Sequence, residues 1–381
     1  MFLTKVKHLL KTDLEKINYC AIMADDRSNL VEELRIVPVD EMGSSNGITD
    51  PVWVYLPQEH KYALIKMTTE RDFIHSSIAE HSMYRLCRDL GIPCAKKRLV
   101  DVNNIIKQME KFIKREDVSI GAKQQARKIL SQAYASLSLD VQVATLVDDF
   151  LIRGDVLIDG AQFSSKIFPT TLNNSVNRIC KFITKLPIPA ESKQSAIENT
   201  LTAFANHILF NVSSINGDEN AENWGLVVNQ EASKVYFNPE YDFNGCGICG
   251  VNRSILETFN VRLEESNAEK IHQFLLIDDG IIDIGYAHGS YPRFRPQTKW
   301  VCRHFPRVAL NFYSKYRGLG DGYFYDLFSD YVEDRCGKPT NFSREDCLLW
   351  AKVYEYQRQF MLRTIKNSLK KQFFMTNEEE K

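Results

Sequence analysis

The sequence predicts an α+β protein of two lobes, a small mixed α/β lobe over residues 1–165 and a larger, mainly helical lobe over residues 166–381. Three observations carry this reading. Short runs rich in β-branched and aromatic residues crowd between Leu34 and Lys66, a clean helical spacing begins at Ser76, and from Val176 onward helical intervals dominate.

Met1 to Tyr19 interleaves Leu and Val with charged residues, which predicts a surface helix turning Phe2, Val6, Leu9, Leu10 and Leu14 inward rather than a signal peptide. Leu34 to Pro38, Val52 to Tyr55 and Tyr62 to Lys66 are predicted strands, with a Gly/Ser/Asn turn at Gly43-Ser44-Ser45-Asn46-Gly47. Ser76 to Leu90 carries Ile78, Met83, Leu86, Cys87 and Leu90 at helical spacing and stops at Gly91-Ile92-Pro93. Lys97 to Val102 is a further predicted strand. Asn103 to Asp149 is read as a helical insertion, with one apolar stripe from Ile105 to Ile113 and another from Ile129 to Leu137. Asp155 to Asp159 predicts a strand, Ser192 to Val212 a helix, and Arg344 to Phe373 one long amphipathic helix without Gly or Pro.

Composition narrows the function. Forty-eight basic and forty-nine acidic residues give a net charge of −1, so no global field draws the chain to nucleic acid or to an anionic membrane, and neither is an expected partner. No segment approaches the roughly 20 apolar residues of a spanning helix. Nine cysteines without framework spacing predict reduced thiols in a cytoplasmic setting. Release into a host cytosol as an effector, by a machine that reads no signal peptide, is the alternative.

The densest chemistry lies in Asn216-Gly217-Asp218-Glu219-Asn220-Ala221-Glu222-Asn223-Trp224-Gly225, then a predicted hairpin, then Pro239-Glu240-Tyr241-Asp242-Phe243. A hairpin of that size returns Asp242 towards Asp218 and Asn223. Kinase-type phosphoryl transfer needs this set: one carboxylate to accept the proton of the attacking hydroxyl, an amide and a second carboxylate to hold Mg²⁺ against ATP phosphates. An Asx-rich surface loop is the bland alternative. Lys66 ends an apolar strand and Glu80 follows early in a helix, the order in which a phosphate-binding cation and its orienting acid occur. Such a pair, if exposed, contributes only about 0–1 kcal/mol, so its expected role is orientation. Backbone N–H groups of Gly43 to Gly47 could cover phosphates, or the segment is a plain turn. Cys246-Gly247-Ile248-Cys249 with Cys302 and His304 has zinc-ligand chemistry, but free thiols in a mobile glycine-rich segment are the favoured reading.

These residues resemble the HipA-like serine/threonine kinases, in compact form. The resemblance runs through Ile65-Lys66, Ala79-Glu80, Asp89 to Pro93, Asn216 to Gly225 and Asn238 to Asp242, somewhat under half of the chain. It implies a two-lobed protein-kinase-like fold, Asp218 as catalytic base, Asn223 and Asp242 as Mg²⁺ ligands, Lys66 on ATP phosphates and Glu80 paired with Lys66. It further implies a protein substrate with Ser or Thr acceptors and an antitoxin or regulatory protein as partner; the hydroxyls of Ser44, Ser45 and Thr49, in and beside the glycine turn, are this chain's own candidate acceptors. Asn220 stands where the family has His, which removes an ionisable neighbour of the base. A phosphoinositide kinase of similar fold, and a pseudokinase or binding module, are the competing readings.

Overall fold

Side chains that alternate between two apolar environments bring six short strands of the N-terminal half into one sheet. The structure is a computed structural model and describes residues 30–39, 51–71, 74–151, 155–163, 169–216, 223–229, 234–243, 245–249, 261–275 and 294–375. Strands β1 (Val31–Glu32), β2 (Val37–Pro38), β3 (Val52–Leu56), β4 (Lys61–Lys66), β5 (Lys97–Asp101) and β6 (Val143–Asp148) lie in the order β1-β5-β6-β4-β3-β2. Every neighbouring pair is antiparallel except β1 with β5.

Helix α1 (Ser76–Leu90) connects β4 to β5, and α2 (Val102–Ile113) and α3 (Ile120–Ser138) connect β5 to β6. The last two cover one face of the sheet, where Val54, Ala63, Ile65, Val100 and Leu146 pack against Ile105, Met109 and Ile129. Each starts at a side-chain cap that satisfies otherwise orphaned N–H groups: Asp101 accepts from Asn103 and Asn104, and Ser119 accepts from Ala122. The helical reading of residues 103–149 is therefore corrected at its end, since β6 is the strand between β5 and β4 and all six of its residues are buried. A strand enclosed on both faces shows a continuous apolar run and no alternation, so its period could not separate it from a helix. The predicted strand from Leu34 to Pro38 also shortens. Only Val37 and Pro38 pair with β3, while Gln108 donates to the Leu34 carbonyl and accepts from the Ile36 N–H, both at 2.8 Å, in place of a strand partner. The predicted N-terminal helix lies outside the described residues.

Helix α1 covers the opposite face and ends where the sequence says it should. Gly91 takes φ +63°, and the Ile92 N–H reaches back to Cys87 O at 2.8 Å, a left-handed cap that a side chain would strain. Its apolar residues belong to the core of the C-terminal half. Polar contacts add to that union: Tyr323 donates to Asp89 at 2.6 Å, Lys315 to the Leu90 carbonyl at 2.8 Å, and Arg85 pairs with Asp330 at 2.9 Å. The helix that carries Glu80 is thus fastened to both halves.

Beyond β6 the chain forms β7 (Asp155–Asp159), α4 (Pro169–Lys185), α5 (Ala190–Ser213), β8 (Gly225–Asn229) and β9 (Lys234–Phe237), and β7-β8-β9 make a small antiparallel sheet. Helices α6 (Ala268–Leu275), α7 (Phe294–His304), α8 (Pro306–Gly318), α9 (Tyr323–Ser329), α10 (Glu333–Cys336) and α11 (Arg344–Met375) follow. Trp224 is fully buried, stacked on Phe237 at 5.9 Å and tilted against Phe204 at 5.0 Å. Gly160 admits that indole, because a Cβ there would stand 2.2 Å from a ring carbon. The result is a sheet-containing N-terminal region followed by a mostly helical C-terminal one.

Candidate active site

Strand alternation decides where the lysines point. Ala63 and Ile65 of β4, like Val100 of β5, face the α2 and α3 side. Lys66 and Lys97 therefore project from the other face, towards α1, with β6 between their strands. Glu80, in the second turn of α1 and fully buried, meets both. Lys66 Nζ lies 2.7 Å from Glu80 Oε1 and 3.0 Å from Asp242 Oδ1. Lys97 Nζ donates to Glu80 Oε2 and to the Tyr241 carbonyl at 2.7 Å, and sits 4.3 Å from the centre of the Phe243 ring. Glu80 Oε1 also accepts from the Phe243 N–H at 3.3 Å. Burial, with the Lys66 charge beside it, holds the Lys97 ammonium well below the ordinary lysine range.

The sequence pairing of Lys66 with Glu80 is present in the structure, but its expected exposure is corrected. The two side chains are 8% and 1% exposed, so the pair belongs to the buried class, in which removing one partner leaves a charge without compensation.

The predicted hairpin forms in register, Leu226 opposite Phe237 and Asn229 opposite Lys234. Its closing contacts run from the Gly225 N–H to Asn238 Oδ1 at 2.5 Å and from the Asn238 N–H to Gly225 O at 3.1 Å. Asn223 immediately precedes this closure and Asp242 shortly follows it. On the other side Asn216 bridges to Cys246, which brings the entry of the 217–222 segment beside the chain leaving Asp242. Asp218, Asn220, the stretch Gly43, Ser44, Ser45, Asn46 and Gly47, and Thr49 lie outside the described residues.

Three buried residues of this region had no predicted role: Lys97, His207 and Glu240. His207 Nδ1 lies 2.9 Å from Glu240 Oε1, and its Nε2 lies 3.0 Å from Asn211 Nδ2. Asn211 Oδ1 accepts from Asn216 Nδ2 at 3.3 Å, so a polar chain leads from beneath Asp242 to the entry of the 217–222 segment. The Glu240 backbone pairs with the α1–β5 connection, its N–H on Pro93 O at 3.0 Å and its carbonyl on the Ala95 N–H at 2.8 Å. Lys97 could have been found from strand parity with Leu99, but Lys96-Lys97-Arg98 reads as a solvated charge run.

The glycine-rich segment after Asp242 was expected to be mobile, and this is corrected for its described part. Residues 245–249 are buried, and the Gly247 N–H bonds Ser214 O and Ile215 O at 3.1 Å. Gly247 takes φ +66°, and a Cβ there would meet the Tyr354 hydroxyl at 2.6 Å. Phe294 is buried, and Arg295 lies over the Phe360 ring at 5.4 Å. Cys246, Cys249 and Cys302 are buried, and burial pushes the thiols of Cys249 and Cys302 up to about 12. Among the described residues no three His, Cys, Asp or Glu side chains form a metal cage. Magnesium does not ask for one, since it is commonly held by one or two carboxylates plus phosphates. A cavity of about 470 Å³ bounded by Arg35, Gln108, Phe112 and Arg115 opens on the α2 side of the sheet, the face opposite Lys66. Among the described residues no helix is long and apolar enough to cross a membrane.

No family model and no curated protein matches the chain. Several solved structures are similar to it, two of them as follows. One is a proinflammatory kinase of Helicobacter pylori, CtkA, at 12% identity and a TM-score of 0.49, covering 90% of this chain and 99% of that one. The other is HipA of Shewanella oneidensis MR-1 in its toxin–antitoxin complex with HipB and operator DNA, at 13% identity and a TM-score of 0.34, covering 90% of this chain and 74% of that one.

Proposed function

We propose that the protein is an ATP- and Mg²⁺-dependent kinase of HipA-like type that transfers phosphate to Ser or Thr hydroxyls, its own among them. The observation that carries this is the position of Lys66, whose ammonium lies between the buried Glu80 and the partly exposed Asp242. A lysine held by a helix carboxylate, next to a second carboxylate that follows a hairpin, is the arrangement kinase-type phosphoryl transfer uses to orient a nucleotide. In this reading Lys66 turns from Asp242 to the α/β-phosphates of ATP, and Glu80 keeps its amine aligned. Asp242 and Asn223 offer oxygens suited to Mg²⁺, a hard cation that neutralises phosphate charge. Asp218 accepts the proton of the acceptor hydroxyl as its oxygen bonds to the γ-phosphorus and ADP leaves. The buried Glu240–His207–Asn211–Asn216 chain sets the entry to the Asp218 segment relative to Asp242.

The test is incubation of the pure protein with γ-labelled ATP and Mg²⁺, alone and with a cell lysate, followed by mass-spectrometric mapping. Label on Ser or Thr of a protein, with Ser44, Ser45 and Thr49 the expected sites of self-modification, supports the reading. Label on phosphoinositide without a labelled protein, or no transfer at all, overturns it.

A further inference from the structure

Kinase-type chemistry calls for one lysine at the nucleotide, and this site holds two. Lys97 is the more deeply buried, with no exposed side-chain surface. Taking an ammonium out of water costs several kcal/mol, and an apolar side chain of similar length would fill the same space without that penalty. What the buried charge accomplishes is visible in its partners. Lys97 holds the carbonyl of Tyr241, the residue before Asp242, while Glu80, to which Lys97 also donates, holds the N–H of Phe243, the residue after it. The Phe243 ring then closes over the same ammonium. One buried ion pair therefore grips the backbone on both sides of Asp242, and the Pro93 and Ala95 contacts to Glu240 extend the grip upstream.

We propose that Lys97 is a positioning residue of the phosphotransfer site: with Glu80 it fixes the backbone around Asp242, so that this carboxylate is set for the divalent cation before nucleotide arrives. The inference rests on the kinase reading. It separates the two lysines, Lys66 acting on phosphate and Lys97 acting on the metal through Asp242.

The experiment is calorimetric titration of wild type, Lys97→Met, Lys97→Gln and Lys66→Met with ATP, in Mg²⁺ and in EDTA. Loss of groups that orient a metal ligand typically weakens metal binding by about 10–100-fold. Lys97→Met should lose affinity by that order in Mg²⁺ and change little in EDTA. Lys97→Gln, whose amide can still donate to the Tyr241 carbonyl, should fall between Lys97→Met and wild type. Lys66→Met should weaken both titrations. Equal losses for Lys97→Met in the two media, or none in either, overturn the assignment while leaving the kinase reading in place. A wild type that binds no ATP in either medium removes the kinase reading and the role of Lys97 with it. Hydrogen exchange on the nucleotide-free wild type needs no variant: residues 241–243 should be protected, and fast exchange there contradicts a segment held in advance.

Discussion

Glu80→Gln changes one atom and nothing in shape, which makes it the cleanest probe of the buried charge cluster. Wild type balances the ammonium groups of Lys66 and Lys97 with the carboxylates of Glu80 and Asp242. The variant leaves two cations facing one carboxylate in the same enclosure. Breaking a buried pair by removing one partner typically costs about 3–5 kcal/mol. A second route sets a ceiling: shedding a proton at pH 7 costs a lysine of ordinary pKa, about 10.4, about 4–5 kcal/mol, and costs Lys97 less, because part of that shift is already present in the wild type. Lys97 is the group to shed it, since burial and Lys66 already hold its pKa down. The sign follows. A lysine depressed in the folded state binds fewer protons than in the unfolded chain, so the penalty is full at low pH and fades as pH rises towards the unfolded pKa. Urea denaturation of wild type and variant should therefore show a loss of about 3–5 kcal/mol at pH 7 and a smaller one at pH 9.5. A loss below about 1 kcal/mol, the size of an exposed pair, would refute the buried cluster. A loss that does not change with pH would refute the proton count.

Asp218→Ala should lower phosphotransfer by about 10²–10⁴, read from the rate of label incorporation, and a variant as fast as wild type would acquit Asp218. Asp242→Asn should weaken ATP binding in Mg²⁺ more than in EDTA, and calorimetry giving equal losses would take Asp242 out of the metal site. His81 is held down to about 3, from an ordinary 6.5, by burial and by the charges of Arg85 and Arg88, and so shares a hydrogen bond of 2.8 Å with the Tyr331 hydroxyl as a neutral ring. Stability should therefore be lost as pH falls from about 6.5 towards 3, by at most about 1.4 kcal/mol per unit. His81→Asn should flatten that slope, and parallel stability curves for the two proteins would refute it.

Much of this architecture is local, and local signals were legible. Helix α1 was predicted with its bounds at Ser76 and Leu90 because its spacing is regular and Gly91 stops it. The β8–β9 hairpin and the Lys66–Glu80 pairing also came from order along the chain. Burial was less accessible, because it depends on contacts far apart in sequence. Lys66 at a strand end and Glu80 on a helix read as solvent-facing in the sequence, whereas the sheet and α1 enclose them. β6 reads as helix in the sequence because a strand buried on both faces carries no alternation. Lys97, His207 and Glu240 were missed for one shared reason: each bonds to partners on other elements, and nothing in Lys96-Lys97-Arg98 or in the helix around His207 announces them. The glycines near Asp242 suggested mobility, but Gly247 is small to make room for Tyr354.

The most direct measurement is a crystal structure of the protein with Mg²⁺ and a non-hydrolysable ATP analogue. Lys66 should sit on the α/β-phosphates and stay paired with Glu80, the metal on Asp242 and Asn223, and Lys97 unmoved between Glu80 and the Tyr241 carbonyl. A nucleotide bound elsewhere, or a metal that avoids Asp242, would contradict this arrangement.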